Sequence, residues 1–388
     1  MIRRIRIQNF RSLIDVDVEL EPLTVLIGRS GTGKSNFVGA IRFLRDYLLS
    51  RGRKGTDGIA PLLGDKGPIS LSVDTQLEKP YQYEVAFKPS PHDPQHLVVV
   101  HERLTSGETD LFHQAGSKWI LAPSANPFPA AGGVALGSIT GIRDATIVFN
   151  ALSRGIGCYD LPGDVLQMTR ERTPQYPIGS LVRLGNGKTL VETAGFSDIG
   201  GNYLSVSGGI LDDWTKLKDW TSLTRTMGLI NPSVESIDLQ SPDRNRIQVG
   251  YRAMDKIHLM DVASESEGFR KYLATLFALY QVPTKQTVIF EHPENSIHPG
   301  ALETLSNEFK RHVEQGRGQV ILTTHSPQLL DHFEPELIRV VDIDNGHTRI
   351  GPLAPEQIEA IREHLLKPGE LLTVDPARLA GQLAEVPA

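Results

Sequence analysis

The eight residues from Gly28 to Ser35, GRSGTGKS, have the types and spacing of a loop that wraps around phosphate groups. A continuous apolar run, 23–27, precedes them and apolar residues at helical spacing follow, so the loop joins a strand to a helix. Glycines let backbone N–H groups approach phosphate oxygens, and the helix N-terminus adds partial positive charge. Lys34 would pair with the β- and γ-phosphates, and Ser35 would hold Mg²⁺ through its hydroxyl. The sequence therefore predicts nucleotide binding by Gly28, Ser30, Gly31, Thr32, Gly33, Lys34 and Ser35.

Two polar residues follow apolar runs that are typical of buried strands later in the chain. Glu291 ends the run 287–290, where a second Mg²⁺ ligand is expected, although a solvated glutamate at a strand end would have the same pattern. His325 follows the run 320–324 and is a candidate for contact with the γ-phosphate. A histidine with a purely structural role is the alternative interpretation.

Strand and helix patterns alternate in the second half of the chain and predict an α/β fold with a mostly parallel core sheet. Period-2 alternation predicts two N-terminal antiparallel edge strands and, between about 68 and 105, an antiparallel β subdomain inserted in the main sheet. The Gly-, Ala-, Ser- and Pro-rich segment 114–142 predicts a long surface loop. The expected strands include 2–7, 14–20, 23–27, 234–239, 247–251, 287–290 and 320–324, and the expected helices are 37–50, 212–227, 268–280, 302–313 and 355–366.

The composition excludes several classes of protein. A chain of 388 residues with 39% hydrophobic residues suits one large or two ordinary globular domains. The net charge of -6 argues against a protein that coats nucleic acid by bulk charge. No stretch approaches the ~18 apolar residues of a membrane span, and the single cysteine, Cys158, cannot form an internal disulfide. We therefore expect a cytoplasmic protein that does not enter a membrane.

Five motifs resemble, in kind and in their order along the chain, those of the ABC-type ATPase heads of the RecF, SMC and OLD (overcoming lysogenization defect) group. The likeness is strongest to stand-alone predicted AAA-type ATPases of that group. The motifs are Asn9-Phe10-Arg11-Ser12, the phosphate loop with Asn36 after it, Ser266-Glu267-Gly268, the segment from Glu291 to Pro299, and Thr323-Thr324-His325-Ser326-Pro327. The resemblance implies a single P-loop NTPase head over 1–388 with its core at 1–50 and 230–345. Residues 51–229 are then an inserted antiparallel β and helical region, and 346–388 a C-terminal helix and tail.

The resemblance also assigns roles to individual residues. It implies that Ser266 and Gly268 contact the γ-phosphate bound to a second copy of the chain, so that ATP closes a homodimer. His325 matches a switch histidine, Arg11 an arginine near the nucleotide, and Ile297-His298 a loop through which the two sites communicate.

One position departs from the pattern of the family. Two acidic residues are expected before the proline, the first for Mg²⁺ and the second as the base that activates water, but here His292 follows Glu291. An imidazole can accept a proton near neutral pH, and Glu294 is a second candidate for orienting water. Two outcomes stay open, slow hydrolysis or a long-lived ATP clamp. A zinc site at His292 and His298 is disfavoured, because Pro293 and the loop prevent the helical geometry of H-x-x-x-H.

The leading hypothesis is an ATPase that acts as a nucleotide-gated dimeric switch. Its partner would be a separate effector chain, nuclease-like in kind, in prokaryotic DNA repair or anti-phage defence. The alternative is a RecF-like clamp that binds DNA itself, for which the chain offers one dense basic run, whose other interpretation is a solvated helix face. That run contains Arg42, Arg45, Arg51, Arg53 and Lys54.

Overall fold

A computed structural model describes residues 1–50, 67–93, 96–115, 118–121, 134–136, 139, 141–161, 166, 181–183, 189–191, 220–240, 246–281 and 283–381. The strands are β1 (Ile2–Phe10), β2 (Leu13–Glu19), β3 (Leu23–Ile27), β4 (Ile69–Gln76), β5 (Pro80–Pro89), β6 (Leu97–Ser106), β7 (Thr109–Ala115), β8 (Lys118–Leu121), β9 (Ile156–Tyr159), β10 (Leu181–Arg183), β11 (Thr189–Val191), β12 (Val234–Gln240), β13 (Arg246–Ala253), β14 (Lys256–Asp261), β15 (Thr287–Glu291), β16 (Gln319–Thr323), β17 (Ile338–Asp344) and β18 (His347–Pro352). The helices are α1 (Lys34–Leu49), α2 (Arg143–Leu152), α3 (Trp220–Ile230), α4 (Glu267–Tyr280), α5 (Leu302–Glu314), α6 (Pro327–Leu330) and α7 (Pro355–Arg362). Two compact units result, one of Met1–Ile156 with Phe333–Ala388 and one of Gly157–His332.

An antiparallel sheet of the first unit has the strand order β2-β1-β4-β5-β6-β7-β8. In β1 the side chains of Ile5 and Ile7 are buried, whereas Arg4 and Arg6 lie on the other face and pair with Asp17 of β2. Because β1 pairs with β2 on one side and β4 on the other, the prediction that both N-terminal strands are edge strands is wrong for β1. The antiparallel strands predicted between 68 and 105 are confirmed, and they continue this sheet.

The segment 114–142 is not a surface loop where it is described. Strand β8 pairs with β7, and Phe112 contacts Trp119 across the pair with ring centroids 6.2 Å apart. Farther on, Val134 and Leu136 are buried. The small residues of this segment indicated exposure, but a carboxylate inside the unit accepts hydrogen bonds from its backbone, as shown below for Glu102.

Strand β3 carries the loop predicted to bind phosphate. All five of its residues are buried, and it pairs in parallel with β17, which forms an antiparallel hairpin with β18. Helix α1 follows the loop, and its apolar stripe, which includes Phe37, Ile41 and Leu44, is buried. The strand-loop-helix order predicted around Gly28–Ser35 is therefore confirmed. Among the described helices, none is long and apolar enough to cross a membrane.

The second unit contains a parallel pair, β15 with β16, so the expected α/β fold with parallel core pairing is confirmed. The predicted hairpin is β12 with β13, and β14 adds a third strand that the sequence did not indicate. Helix α4 is buried from Arg270 to Tyr280, and Phe290 of β15 packs against Phe309 of α5 with centroids 5.3 Å apart. Helix α3 begins at Trp220, and the earlier part of the predicted helix 212–227 lies outside the described residues.

Candidate functional site

The end of the phosphate loop nearest the helix is formed by Gly33 and the first turn of α1. Gly33 has a φ of 115°, and a Cβ at this position would lie 2.1 Å from Oγ1 of Thr348, so the site requires glycine. Phe37 N donates to Gly33 O at 2.9 Å, and the amides before Phe37 have no acceptor within the helix. No acidic residue lies in this turn. The arrangement is that of an anion site at a helix N-terminus.

The ammonium of Lys34 is held by the loop itself. Its Nζ donates to Gly28 O at 2.7 Å and to Arg29 O at 2.8 Å, and the residue is 5% exposed. Burial lowers the pKa of Lys34 to about 8. Carbonyl oxygens carry no formal charge, so these two hydrogen bonds leave the positive charge of Lys34 available for a phosphate.

Arg11 and Asn36 lie beside the start of α1, as the motif order suggested. Nη1 of Arg11 donates to Oδ1 of Asn36 at 3.2 Å. On the loop Ser30, Gly31 and Ser35 are exposed, whereas Thr32 is buried. The hydroxyl of Ser35 is thus accessible to a cation that accompanies a nucleotide. The first unit brings together every predicted residue of the loop and Arg11.

The second unit brings together the candidates at the ends of β15 and β16. Glu291 is the last residue of β15, and His292 leaves the strand with a left-handed φ of 49°. The amide of His292 donates to Thr323 O at 3.1 Å. The imidazole of His292 stacks on that of His325 with centroids 4.9 Å apart and planes 9° from parallel.

Glu294 is buried between these two strand ends. Its Oε1 accepts from Thr324 Oγ1 at 2.8 Å and from His325 N at 3.1 Å, and lies 3.8 Å from His292 Nδ1. Burial by itself would raise the pKa of Glu294, but the interactions with His292, Thr324 and His325 outweigh it and hold the pKa below its ordinary value. The carboxylate is therefore ionised and faces an imidazole. Its Oε2 is buried with no hydrogen-bond partner among the described residues.

Ser266 and Gly268, the residues that the resemblance assigns to the γ-phosphate bound to a second copy, lie at the start of α4. Ser266 caps the helix, with Oγ accepting from Phe269 N at 3.3 Å. A Cβ at Gly268 would lie 2.3 Å from Ser296 O, so the helix start and the segment after Glu294 are packed backbone to backbone. Ser296 Oγ also donates to Glu267 at 2.5 Å. Helix α4 is buried along most of its length, yet Ser266 and Glu267 are exposed.

The basic run after the phosphate loop is not a continuous exposed surface. Arg45 is 3% exposed, and its guanidinium donates to Oδ1 of Asp46 at 2.6 Å. Arg42 is half-buried. The prediction of a basic face is therefore wrong for Arg45, whereas Arg51, Arg53 and Lys54 lie outside the described residues.

Three polar residues in contact with the candidates were not assigned from the sequence. Ser296 contacts Glu267, and the only indication of this in the sequence was its place beside Ile297-His298. The hydroxyl of Ser12 forms hydrogen bonds with the side chains of Asn36 and Thr348. The only indication in the sequence was its place after Arg11 in the first motif. Thr348 carried no signal, because a threonine inside a strand pattern is ordinary.

Two family models match the chain. Residues 212–331 match a family described as an AAA domain, putative AbiEii toxin, Type IV TA system, and residues 1–117 match a family described as an AAA ATPase domain. The first match contains Ser266, Gly268, Glu291, His292, Glu294 and His325, and the second contains Arg11 and the whole phosphate loop.

Similar curated and solved proteins were also found. An OLD nuclease of Thermus scotoductus (strain ATCC 700910 / SA-01) is 44% identical over 41 residues, which are 11% of this chain and 8% of that protein. The chain thus spans a small part of the length of this curated relative. A crystal structure of an Smc head bound to the C-winged helix domain of ScpA is 15% identical, with a TM-score of 0.48 over 93% of this chain and 99% of that one. The SMC head domain from Thermotoga maritima is 12% identical, with a TM-score of 0.41 over 90% of this chain and 98% of that one.

Proposed function

We propose that this chain, which is an ABC/AAA-type ATPase of the RecF, SMC and OLD group, acts as a nucleotide-gated dimeric switch. The observation that carries the proposal is the exposure of Ser266 at the start of an otherwise buried helix, α4, where the carboxylate of Glu267 is paired with Lys271 and with the hydroxyl of Ser296. An exposed, capped helix start is suited to the phosphate of a nucleotide that another molecule carries. ATP on the loop of one copy would then be contacted by Ser266 and Gly268 of a second copy.

The residues present fit ATP and Mg²⁺. Lys34, held by two carbonyls of the loop, supplies the charge for the β- and γ-phosphates. Mg²⁺ prefers hard oxygen ligands and needs only one or two from the protein besides phosphate. The exposed hydroxyl of Ser35 is one such ligand in the first unit, and the carboxylate of Glu291 is a separate candidate in the second unit. Bound Mg²⁺ neutralises charge on the β- and γ-phosphate oxygens.

Hydrolysis, in this proposal, is slow and uses His292 as the base. Glu294, ionised and 3.8 Å from Nδ1, favours a proton on that nitrogen, which leaves Nε2 of His292 to accept a proton from water. His325 limits the rotation of the His292 ring by stacking on it. The alternative from the sequence, a long-lived ATP clamp, requires the same nucleotide binding without turnover.

The biological role that we propose is control of a separate effector chain, nuclease-like in kind, in prokaryotic DNA repair or anti-phage defence. Its support is the 41-residue likeness to a protein named OLD nuclease and the family description that names a toxin. A RecF-like DNA clamp is the weaker candidate, because Arg45 of its basic run is buried in an ion pair with Asp46. We place the protein in the cytoplasm.

The test measures molar mass and ATP turnover together, with and without ATP and Mg²⁺, for the wild type and for Lys34→Ala. We expect the wild type to change from monomer to dimer with ATP and Lys34→Ala to remain a monomer. Lys256→Ala, which removes an exposed lysine of β14, is the matched control and should behave as the wild type. A wild-type mass that is the same with and without ATP would contradict the switch. Binding of duplex DNA that weakens steeply with salt would instead favour the clamp.

A further inference from the structure

A chain of side-chain hydrogen bonds runs from Arg11 to a carbonyl of the phosphate loop. Arg11 Nη1 donates to Asn36 Oδ1 at 3.2 Å, and Asn36 Nδ2 donates to Ser12 Oγ at 2.7 Å. Ser12 Oγ lies 2.7 Å from Thr348 Oγ1, which donates to Thr32 O at 2.7 Å. The chain therefore joins the first motif, the start of α1, strand β18 and the loop.

The direction of the bond between the two hydroxyls is fixed by the last member of this chain. The hydroxyl of Thr348 has one hydrogen, and a carbonyl oxygen such as Thr32 O can only accept it. Ser12 must therefore donate to Thr348, and its remaining role is to accept from Asn36. Bonds that all run in one sense polarise one another, so removal of one member weakens the others.

Thr348 is also packed tightly against the loop. It is 1% exposed, and the space that a Cβ of Gly33 would need is occupied by its side chain. Its own amide donates to Ser12 O at 2.9 Å, so backbone and side chain of Thr348 are both anchored. The hydroxyl is thereby held at one place beside the peptide that joins Thr32 to Gly33.

We propose that Thr348 is a positioning residue for nucleotide binding, one that sets the orientation of the peptide between Thr32 and Gly33. In a planar trans peptide the C=O and the N–H point in opposite directions. With Thr32 O bonded to Thr348, the N–H of Gly33 faces away from Thr348, and the carbonyl oxygen cannot turn toward a phosphate. Without the hydroxyl, the peptide can rotate and present a partial negative charge to the anion. This inference rests on the proposed nucleotide binding.

The test measures the dissociation constant of a non-hydrolysable ATP analogue with Mg²⁺ for variants of the full chain. Thr348→Val keeps the shape and removes the hydroxyl, and we expect binding to weaken about tenfold, the size typical of a lost hydrogen bond that leaves buried partners unpaired. Thr348→Ser keeps the hydroxyl and should restore binding to near the wild-type value. Ser12→Ala should weaken binding too, and its effect should add little to that of Thr348→Val because both break one chain.

The matched control is Thr24→Val, since Thr24 is a fully buried threonine of β3 whose hydroxyl bonds to Glu21 O at 3.1 Å. It should leave the dissociation constant unchanged, and thermal unfolding without nucleotide reports any loss of stability separately. If Thr348→Val does not fold, Ser12→Ala and Thr348→Ser still decide the question. Unchanged affinity in a folded Thr348→Val, or equal weakening in Thr348→Ser, would overturn the inference. If the wild type itself does not bind the analogue, the proposed nucleotide binding fails instead.

Discussion

The phosphate loop follows the buried strand β3, and the residues from His292 follow the buried strand β15, yet the two regions are stabilised by different kinds of interaction. Around the loop the contacts are glycine packing, hydroxyl groups and backbone carbonyls, with Lys34 as the cation at its centre. At the end of β15 three ionisable side chains, His292, His325 and Glu294, lie together, and Glu294 also accepts from the hydroxyl of Thr324 and the amide of His325. The loop thus depends on backbone shape, and the strand end on side-chain charge.

This difference teaches where a substitution can act. Because the loop is set by its backbone and by buried hydroxyls, a change there alters whether nucleotide binds at all. Because the end of β15 is formed by ionisable side chains, one of which can replace another, a histidine in place of a glutamate can alter turnover and leave binding intact. Under the proposed function, the departure at His292 would therefore change the rate of hydrolysis and not the capacity to bind.

The largest expected effect comes from a direct contrast of the two regions, Lys34→Ala against His292→Ala. Lys34→Ala should weaken ATP binding by about 100-fold or more, since it removes the phosphate-pairing charge. His292→Ala should bind ATP within about threefold of the wild type and lose turnover by about 100-fold, the contribution of a general base. Equilibrium binding and a phosphate-release assay measure the two quantities.

The control for this contrast is His258→Ala, which removes an exposed histidine of β14. It should change neither binding nor turnover. If His292→Ala weakened binding as much as Lys34→Ala does, the separation of the two regions into binding and turnover would be wrong.

A second substitution, His292→Glu, sharpens the contrast because it gives this position the acidic residue of the family pattern. A carboxylate that accepts a proton from water should raise turnover about tenfold, with nucleotide affinity near that of the wild type. Single-turnover kinetics at saturating ATP separate this step from product release. Lower turnover in His292→Glu than in the wild type would mean that the site is built around the imidazole.

Gly268→Ala tests whether the second unit also takes part in assembly. Its Cβ would lie 2.3 Å from a backbone oxygen of Ser296, so the start of α4 must shift. We expect ATP-dependent dimerisation to weaken about tenfold or more while the monomer still binds ATP, because a shift of about 1 Å is enough to misplace a contact group. Gly228→Ala, where a Cβ meets Val234 O at an ordinary 3.8 Å, is the control. Equal dimerisation in both variants, measured by molar mass, would remove the start of α4 from the interface.

Sequence reasoning succeeded where the signal is local and failed where it depends on distant packing. Gly28–Ser35 could be predicted because strand, glycine turn and helix are contiguous, and β15 and β16 because each is a short apolar run. Thr348 could not, since nothing in β18 indicates that its hydroxyl meets Thr32. The burial of the segment near Leu136 was missed for the same reason. The small residues at 114–142 indicate a surface loop, and the sequence does not show that Glu102 accepts hydrogen bonds from the amides of Ala135 and Leu136.

The last expected effect is on stability alone and concerns Glu102, a buried ionisable side chain of the first unit. It is 0% exposed and accepts from Tyr83 Oη at 2.9 Å, Ala135 N at 2.6 Å and Leu136 N at 2.8 Å. Burial raises its pKa to about 7, although these three hydrogen bonds oppose the rise. A carboxyl whose pKa is raised on folding contributes stability that is complete below about pH 4.5 and is lost as the pH rises through about 7.

The free energy of unfolding of the wild type minus that of Glu102→Gln should therefore decrease by on the order of 2 kcal/mol between about pH 5 and about pH 8. Urea denaturation at the two pH values measures it, with Glu108→Gln, an exposed glutamate between β6 and β7, as the control that should show no such change. If this difference increased with pH, Glu102 would be a stabilised carboxylate, because its three hydrogen-bond donors would then outweigh its burial. Glu102 would in that case resemble Glu294 at the end of β15, whose hydrogen bonds also keep it ionised in spite of burial. The contrast between backbone contacts and charged side chains would then hold for the phosphate loop and not for the whole first unit.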